Sequence, residues 1–418
     1  MSVNIDLGQA IQALSDALDL VGTEHVLHSK RVGFMALRCG EAWGLNSQAL
    51  DDVFHAGLLL NCALFSQPEQ RRMVNTLDWE GIEAHCVQGS ALLKAFPPLA
   101  HLAPLVLYHH THWDTLCDLA LPAITAQLAN LLYLIDQVDA LAAVDDGRNL
   151  LLIRQGVREK ISNLSGSFFA PELVTLFLAV SESEAFWLSL EGRHLLRFLQ
   201  ERRPTRRITL LSFSELRGLA ALFAHIVDTK SPYTVAHSFG TARLARFLAS
   251  CLHLPPEVCD KIEVAALLHD LGKLRVPDEI LEKPGPLTIV EWATLQRHSF
   301  ETYQILRGIA GLEDIALWAS YHHERPDGHG YPFRRGGSDL PIEARIIAVA
   351  DVFEALTQNR PYRQSLSAAQ TLRMLRTFAH DRHLDEGVVD QACIHLADCW
   401  HLAKSNTALA LAPTHLAA

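Results

Sequence analysis

The sequence predicts an all-α protein built from two tandem copies of one helical domain. Three observations carry this expectation: apolar residues recur at helical spacing, alternating strand-like runs are scarce, and five segments of the first half return in order in the second. A length of 418 residues is too great for one core and fits two domains of ordinary size. With 49% hydrophobic and 20% charged residues, a disordered or low-complexity chain is excluded.

Near the N-terminus, Leu7, Ile11, Leu14 and Leu18 share one face of an amphipathic helix, and no basic start precedes an apolar block as in a signal peptide. Ser212 and Glu215 form a capping box that opens a helix carrying Leu216, Leu219, Phe223, Ile226 and Val227. Ile346, Ile347, Val349, Ala350, Val352, Phe353 and Leu356 mark another helix. The Gly- and Pro-rich stretch from Glu324 to Pro341 reads as one long irregular loop. The charged segment around Pro204 reads as a linker, so the expected division is 1–195, a linker at 196–211, a second domain at 212–400, and a frayed Ala-rich tail at 401–418.

The repeat is explicit. HSKRV at His28 returns as HSFGT at His237, and AGLLLNCAL at Ala56 as AALLHDLGK at Ala265, both 209 positions on. HCVQGSALL at His85 and YHHTHWD at Tyr108 return 213 positions on, at His298 and Tyr321. ANLLYLIDQVDAL at Ala129 returns at Ala344, 215 positions on. Chance does not produce five matches in one order with so small a drift.

Charge narrows the partners. The 36 Lys and Arg are outnumbered by 47 Asp and Glu, which excludes a strongly basic binder of nucleic-acid polymers. Residues 1–200 hold 12 basic and 22 acidic side chains, and residues 201–418 hold 24 and 25, so the second half is the better receiver of an anion. Eight scattered cysteines without a CxxC pair suit reduced thiols in the cytoplasm, and no apolar run of about 18 uncharged residues predicts a membrane span.

The second copy contains His237, His269, Asp270, His298, His322, His323 and Asp351, each on or beside an apolar helical stretch. His25, His101, His225, His253 and His329 read as ordinary surface or core histidines. Buried imidazoles and carboxylates without partners cost several kcal/mol, so the seven need a common counterpart, and a metal cluster supplies it. Imidazoles and carboxylates without a thiolate suit Fe or Mn. Seven ligands exceed the need of one ion. Two divalent ions about 3.5–4 Å apart, sharing Asp270 as a bridge, would activate water against a phosphodiester. Lys273 follows Asp270 by almost one helical turn and can reach the same mouth, or simply pair with a neighbouring carboxylate. Arg360 and Arg363 lie one turn apart and can clamp phosphate or read guanine edges, although Arg360 can equally cap the helix that weakens before Pro361.

HDLGKLRVPDEILEKPGPLT (His269 to Thr288), HHERPDGHGYP (His322 to Pro332) and ADVFEALTQNRPYR (Ala350 to Arg363), preceded by SPYTVAHS, resemble the HD-GYP subgroup of the HD phosphohydrolase superfamily across about residues 212–400. The resemblance implies an all-α domain with a metal centre that hydrolyses the bacterial second messenger cyclic di-GMP to linear pGpG, with further hydrolysis to GMP left open. It places the metal ligands on His237, His269, Asp270, His298, His322, His323 and Asp351, and the substrate-binding side chains on Lys273, Arg360 and Arg363. Asp270 and Lys273 are its catalytic residues. Some members carry a Glu four residues before the first histidine and hold a third metal; Tyr233 stands there in this chain, so a binuclear centre is expected. The loop containing Tyr331 is expected beside the active site or against a partner protein, with no chemical role.

The first copy departs from that pattern. Leu60 and Asn61 replace the HD pair, while His28, His85, His109, His110 and Asp136 remain and Glu24 matches Tyr233. It reads as a degenerate scaffold or dimerisation module, the alternative being a single-metal or small-ligand sensor. Three competing readings stand beside cyclic di-GMP hydrolysis: hydrolysis of a cyclic GMP–AMP hybrid, a non-catalytic cyclic dinucleotide receptor or interaction scaffold, and hydrolysis of nucleoside phosphates or (p)ppGpp. A homodimer or protein partner would use the N-terminal domain or the GYP loop.

Overall fold

A computed structural model of the chain describes residues 2–21, 27–63, 82–142, 149–202, 208–228, 230, 237–359 and 364–405. These fall into two compact units, a first formed by 8–202 and a second formed by 2–7 with 208–405.

The second unit is built around the helix Ile342–Thr357, whose Ile346, Ile347, Val349, Ala350 and Phe353 are completely buried. A helix apolar on nearly every side belongs in the middle of a layered domain. Against it pack His237–Cys251, Pro256–Leu268, Glu313–Ser320, Ala368–His380, Glu386–Ile394 and Leu396–Lys404, with Phe213–Asp228 and Ile289–Leu306 in the next layer on Pro256–Leu268 and Glu313–Ser320. The expected capping box is present: Ser212 donates to Glu215 Oε2 through N and Oγ at 2.7 Å, and Glu215 N donates back to Ser212 Oγ at 3.2 Å. Leu216, Leu219, Phe223, Ile226 and Val227 are buried, as their spacing requires. A second capping box, Thr288 with Glu291, starts the helix that carries His298.

The first unit repeats the order. His28–Trp43, Ser47–Leu59, Ile82–Ala95 and Ala103–Leu107 lead to the buried helix Ala123–Ala142, the counterpart of Ile342–Thr357. The amphipathic helix at the start spans Leu7–Leu18, with Ile11, Leu14 and Leu18 buried.

Three boundaries differ from those expected. Ser2–Asp6 is a strand, paired antiparallel with Ile208–Ser212 in the register Val3 to Leu211 and Ile5 to Thr209. The first residues therefore belong to the second unit, and among the described residues these two short strands stand beside elements that are otherwise helical. The expected linker at 196–211 is mostly structured, because Leu195 and Leu199 are buried and hold the helix Gly192–Glu201. At the other end the helix Leu396–Lys404 passes residue 400, anchored by buried Cys399 and Ala403 and by Lys404 Nζ donating to Thr357 O at 2.5 Å. Among the described residues no helix is long and apolar enough to cross a membrane.

Candidate metal centre

The five candidate histidines of the second unit sit at helix ends or on buried faces, and three share one orientation device. Nδ1 of His269, His298 and His322 donates to the carbonyl three residues back, on Ala266, Leu295 and Ala319, at 2.7, 2.6 and 2.6 Å. Such a bond fixes the ring and leaves Nε2 as the lone-pair donor. His298 Nε2 and His322 Nε2 lie 3.2 Å apart, and His269 and His322 place ligand atoms within 4.8 Å of each other and of Asp270.

All seven expected side chains converge. His237, His269 and Asp351 place ligand atoms within 4.8 Å of one another, as do His298, His322 and His323. Asp270 stands between the two groups. Its Oδ2 is 3.2 Å from His269 Nε2 and 3.6 Å from His237 Nε2; its Oδ1 is 3.6 Å from His298 Nε2 and 3.9 Å from His322 Nε2. His269 Nε2 and Asp270 Oδ1 are buried without a hydrogen-bond partner, the situation a cation relieves. Two cations fit this donor set.

Protonation suits that purpose. Burial lowers the pKa of His298 to about 4 and that of His323 to about 3, and takes His322 well below its usual value. Burial alone would raise the two carboxylates. The charge of His269 with Lys273 instead holds Asp270 far below the usual range, and the hydrogen bond and charge of His237 with His269 do the same for Asp351. Near neutral pH His298, His322 and His323 are neutral imidazoles and Asp270 and Asp351 are ionised carboxylates, the forms that bind metal.

Several supporting residues escaped the sequence reading. Glu354, fully buried, holds His237 Nδ1. It lies three residues after Asp351 on the same helix face, which was the available clue. A Cβ on Gly240 would come within 2.9 Å of Glu354 Oε1, so glycine there makes room for the carboxylate. Thr302 links two elements, accepting from Gly272 N at 2.9 Å and donating to His269 O at 3.1 Å. Asp228 receives Ser238 Oγ at 2.8 Å beside His237. Lys230 Nζ donates to the carbonyls of Leu274 and Val276 at 2.5 and 2.6 Å and so braces the turn that carries Lys273.

Lys273 forms an ion pair with Asp270 Oδ2. Tyr331 lies over His323 with ring centroids 4.8 Å apart, and Tyr331 N donates to His323 O at 3.2 Å, so the loop does pack beside the cluster. Buried Glu324 organises the loop by accepting from Phe333 N and Arg335 N at 2.6 and 2.8 Å. Arg360, Arg363, Tyr233 and Glu24 lie outside the described residues.

Residues 221–388 match the HD domain family model. Over 393 residues the chain is 36% identical to the 3'3'-cGAMP-specific phosphodiesterase 1 of Vibrio cholerae, covering 93% of this chain and 91% of that protein. The chain belongs to the HD-GYP family. A cyclic di-GMP phosphodiesterase of Pseudomonas aeruginosa is 39% identical over 170 residues, 40% of each chain. A solved cyclic GMP-AMP-specific phosphodiesterase of Vibrio cholerae shares the fold at a TM-score of 0.62 and 23% identity, over 95% of this chain and 98% of that one. HD-GYP enzymes are metal-dependent phosphodiesterases, and the cluster described above is the part of this member suited to hold the metals.

The first repeat of this HD-GYP protein treats the equivalent positions differently. His28, Asp136 and Asp139 stand where His237, Asp351 and Glu354 stand in the second, and Arg31 replaces Gly240. His28 donates to Asp139 Oδ2 at 2.7 Å and to Asp136 Oδ1 at 3.1 Å, while Arg31 Nε and Nη2 reach Asp139 at 2.6 and 3.0 Å. Burial pulls the His28 pKa down, but the bonds to Asp136 and Asp139 outweigh it and raise the pKa from 6.5 to about 10. His28 is thus an imidazolium whose two nitrogens are both occupied, and an internal ion pair closes this half of the first repeat. Because the folded pKa exceeds the unfolded one, the stabilisation is complete below pH 6.5 and is lost as pH rises toward about 10. Urea denaturation of the full chain should therefore show stability falling by on the order of 4 kcal/mol over that interval. His28→Gln should flatten the slope; an unchanged slope would mean that His28 is not the group responsible.

Proposed function

We propose that the second unit opens the 3',3'-phosphodiester ring of a cyclic dinucleotide with two divalent ions held by His237, His269, Asp270, His298, His322, His323 and Asp351. The observation that carries this reading is the placement of Asp270, one carboxylate oxygen facing each histidine group. When bound, the two ions supply Lewis acidity that lowers the pKa of water and offsets phosphate charge. The residues do the rest. Glu354 keeps His237 Nε2 turned inward, and the i−3 carbonyls do the same for three other rings. Lys273, with its side chain 19% exposed, is the cation at the mouth of the cluster, where it can shift from Asp270 toward a bound phosphate. Arg360 and Arg363, matched to the family motif, are proposed to clamp the substrate. Hydrolysis of one ester breaks a P–O3' bond and leaves a 5'-phosphate and a 3'-hydroxyl on a linear dinucleotide.

A donor set of imidazoles and carboxylates without a thiolate supports Fe or Mn as the native pair. Eight cysteines without a disulfide support a reducing compartment such as the cytoplasm. Cyclic di-GMP follows from the family motifs, and the cyclic GMP–AMP hybrid is favoured by the relative that matches both repeats. Purification without air, loading with Fe or Mn and comparison of kcat/KM for the two cyclic dinucleotides tests both. The expected products are linear dinucleotides with a 5'-phosphate, and the larger kcat/KM identifies the substrate. Absence of any linear product from either compound overturns the proposal.

A further inference from the structure

The half of the first repeat that the ion pair does not close keeps the architecture of the second repeat. His85, His109 and His110 correspond to His298, His322 and His323. Their ring centroids are 5.1, 5.1 and 4.2 Å apart for 85–109, 85–110 and 109–110, against 5.3, 5.1 and 4.1 Å for the matching pairs. The Nε2–Nε2 distance between the first two rings is 3.2 Å in both repeats. His109 Nδ1 donates to Val106 O at 2.6 Å, the same i−3 bond that turns Nε2 inward in His269, His298 and His322.

One substitution changes the chemistry. Cys86 occupies the position of Ser299, and its Sγ is 3.7 Å from His85 Nε2. His85, Cys86 and His109 place ligand atoms within 4.8 Å of one another, all buried. His110 stacks against this group, only 7% exposed, and neither of its ring nitrogens has a hydrogen-bond partner. A buried imidazole with both nitrogens unsatisfied is expensive unless a ligand is near.

We propose that the first unit holds a single borderline-soft divalent ion, of the zinc type, on His85 Nε2, Cys86 Sγ and His109 Nε2, with the His110 ring lining the remaining side. Two imidazoles and a thiolate suit that class of ion and differ from the thiolate-free set of the second unit. Binding replaces the S–H bond of Cys86 with a sulfur–metal bond and releases one proton to solvent. A second ion is not accommodated, because Leu60 and Asn61 replace the HD pair and His28 is engaged by Asp136 and Asp139.

The test uses the full chain carrying His269→Ala, Asp270→Ala, His298→Ala and His322→Ala, which remove ligands from both groups and silence the second unit, loaded with Co(II) and freed of excess metal. The expected result is one cobalt per chain and a thiolate-to-cobalt charge-transfer band in the near ultraviolet. Adding Cys86→Ser, the residue already tolerated at Ser299, should remove the band and weaken retention by about tenfold or more. Should the silenced chain fail to fold, the difference spectrum of Cys86→Ser in the otherwise unaltered chain reads the same band. A folded silenced chain that retains no cobalt, or a band that persists in Cys86→Ser, overturns the proposal and leaves only a hydrogen bond between His85 and His109. Neither readout depends on hydrolysis, so the outcome is independent of the function proposed for the second unit.

Discussion

Replacing Asp270 with Ala should lower phosphodiester turnover by on the order of 10³-fold or more, about 4 kcal/mol in barrier, with the fold retained. Its Oδ2 faces His269 and His237 and its Oδ1 faces His298 and His322, so one side chain addresses both histidine clusters. The substitution also strands the Lys273 ammonium, which pairs with Asp270. A positive charge would then remain beside the histidine Nε2 atoms where two cations are proposed to sit, so metal content should fall together with turnover. Metal analysis and initial rates on the same preparation check this. Hydrolysis that survives with metal content unchanged would show that Asp270 is not the shared ligand.

Gly272→Ala should destabilise the second unit by about 3 kcal/mol, lowering its melting temperature by roughly 6–12 °C. Gly272 lies in the 3₁₀ turn Leu271–Arg275, where an added Cβ would run into the backbone carbonyl of His298. A backbone atom has no rotamer by which to yield. The turn and the helix Ile289–Leu306 must therefore separate, breaking the bond from Gly272 N to Thr302 Oγ1. The same turn follows Asp270 and contains Lys273, so metal retention should weaken in parallel. Calorimetry of the variant decides this, and an unchanged melting temperature would mean that the contact is not as close as described.

Much of this molecule was legible in its sequence, for a physical reason. Helical periodicity and capping are local, so the Ser212–Glu215 box and the apolar face after it appear as read. The seven clustered side chains were legible because each lies on or beside a stretch that would otherwise bury an unsatisfied polar group. The strand pair was not. Val3 pairs with Leu211 through a partner some two hundred positions away, and five-residue strands carry too little alternation to be noticed. Glu354 was missed because its role depends on how the helix Ile342–Thr357 is turned toward His237, which spacing alone does not give. The exchange of Gly240 for Arg31 became intelligible only once each was seen against its carboxylate, Glu354 in one repeat and Asp139 in the other. Cys86, one of eight scattered cysteines in the sequence, acquires meaning only beside His85 and His109.

Anomalous diffraction from crystals of the full chain, purified without air and loaded with Fe or Mn, addresses the centre most directly. The expected result is two peaks in the second unit, one among His237, His269 and Asp351 and one among His298, His322 and His323, each in contact with a different oxygen of Asp270. A single peak there, no peak, or two ions of which only one contacts Asp270 would contradict the bridged pair on which the proposed hydrolysis rests.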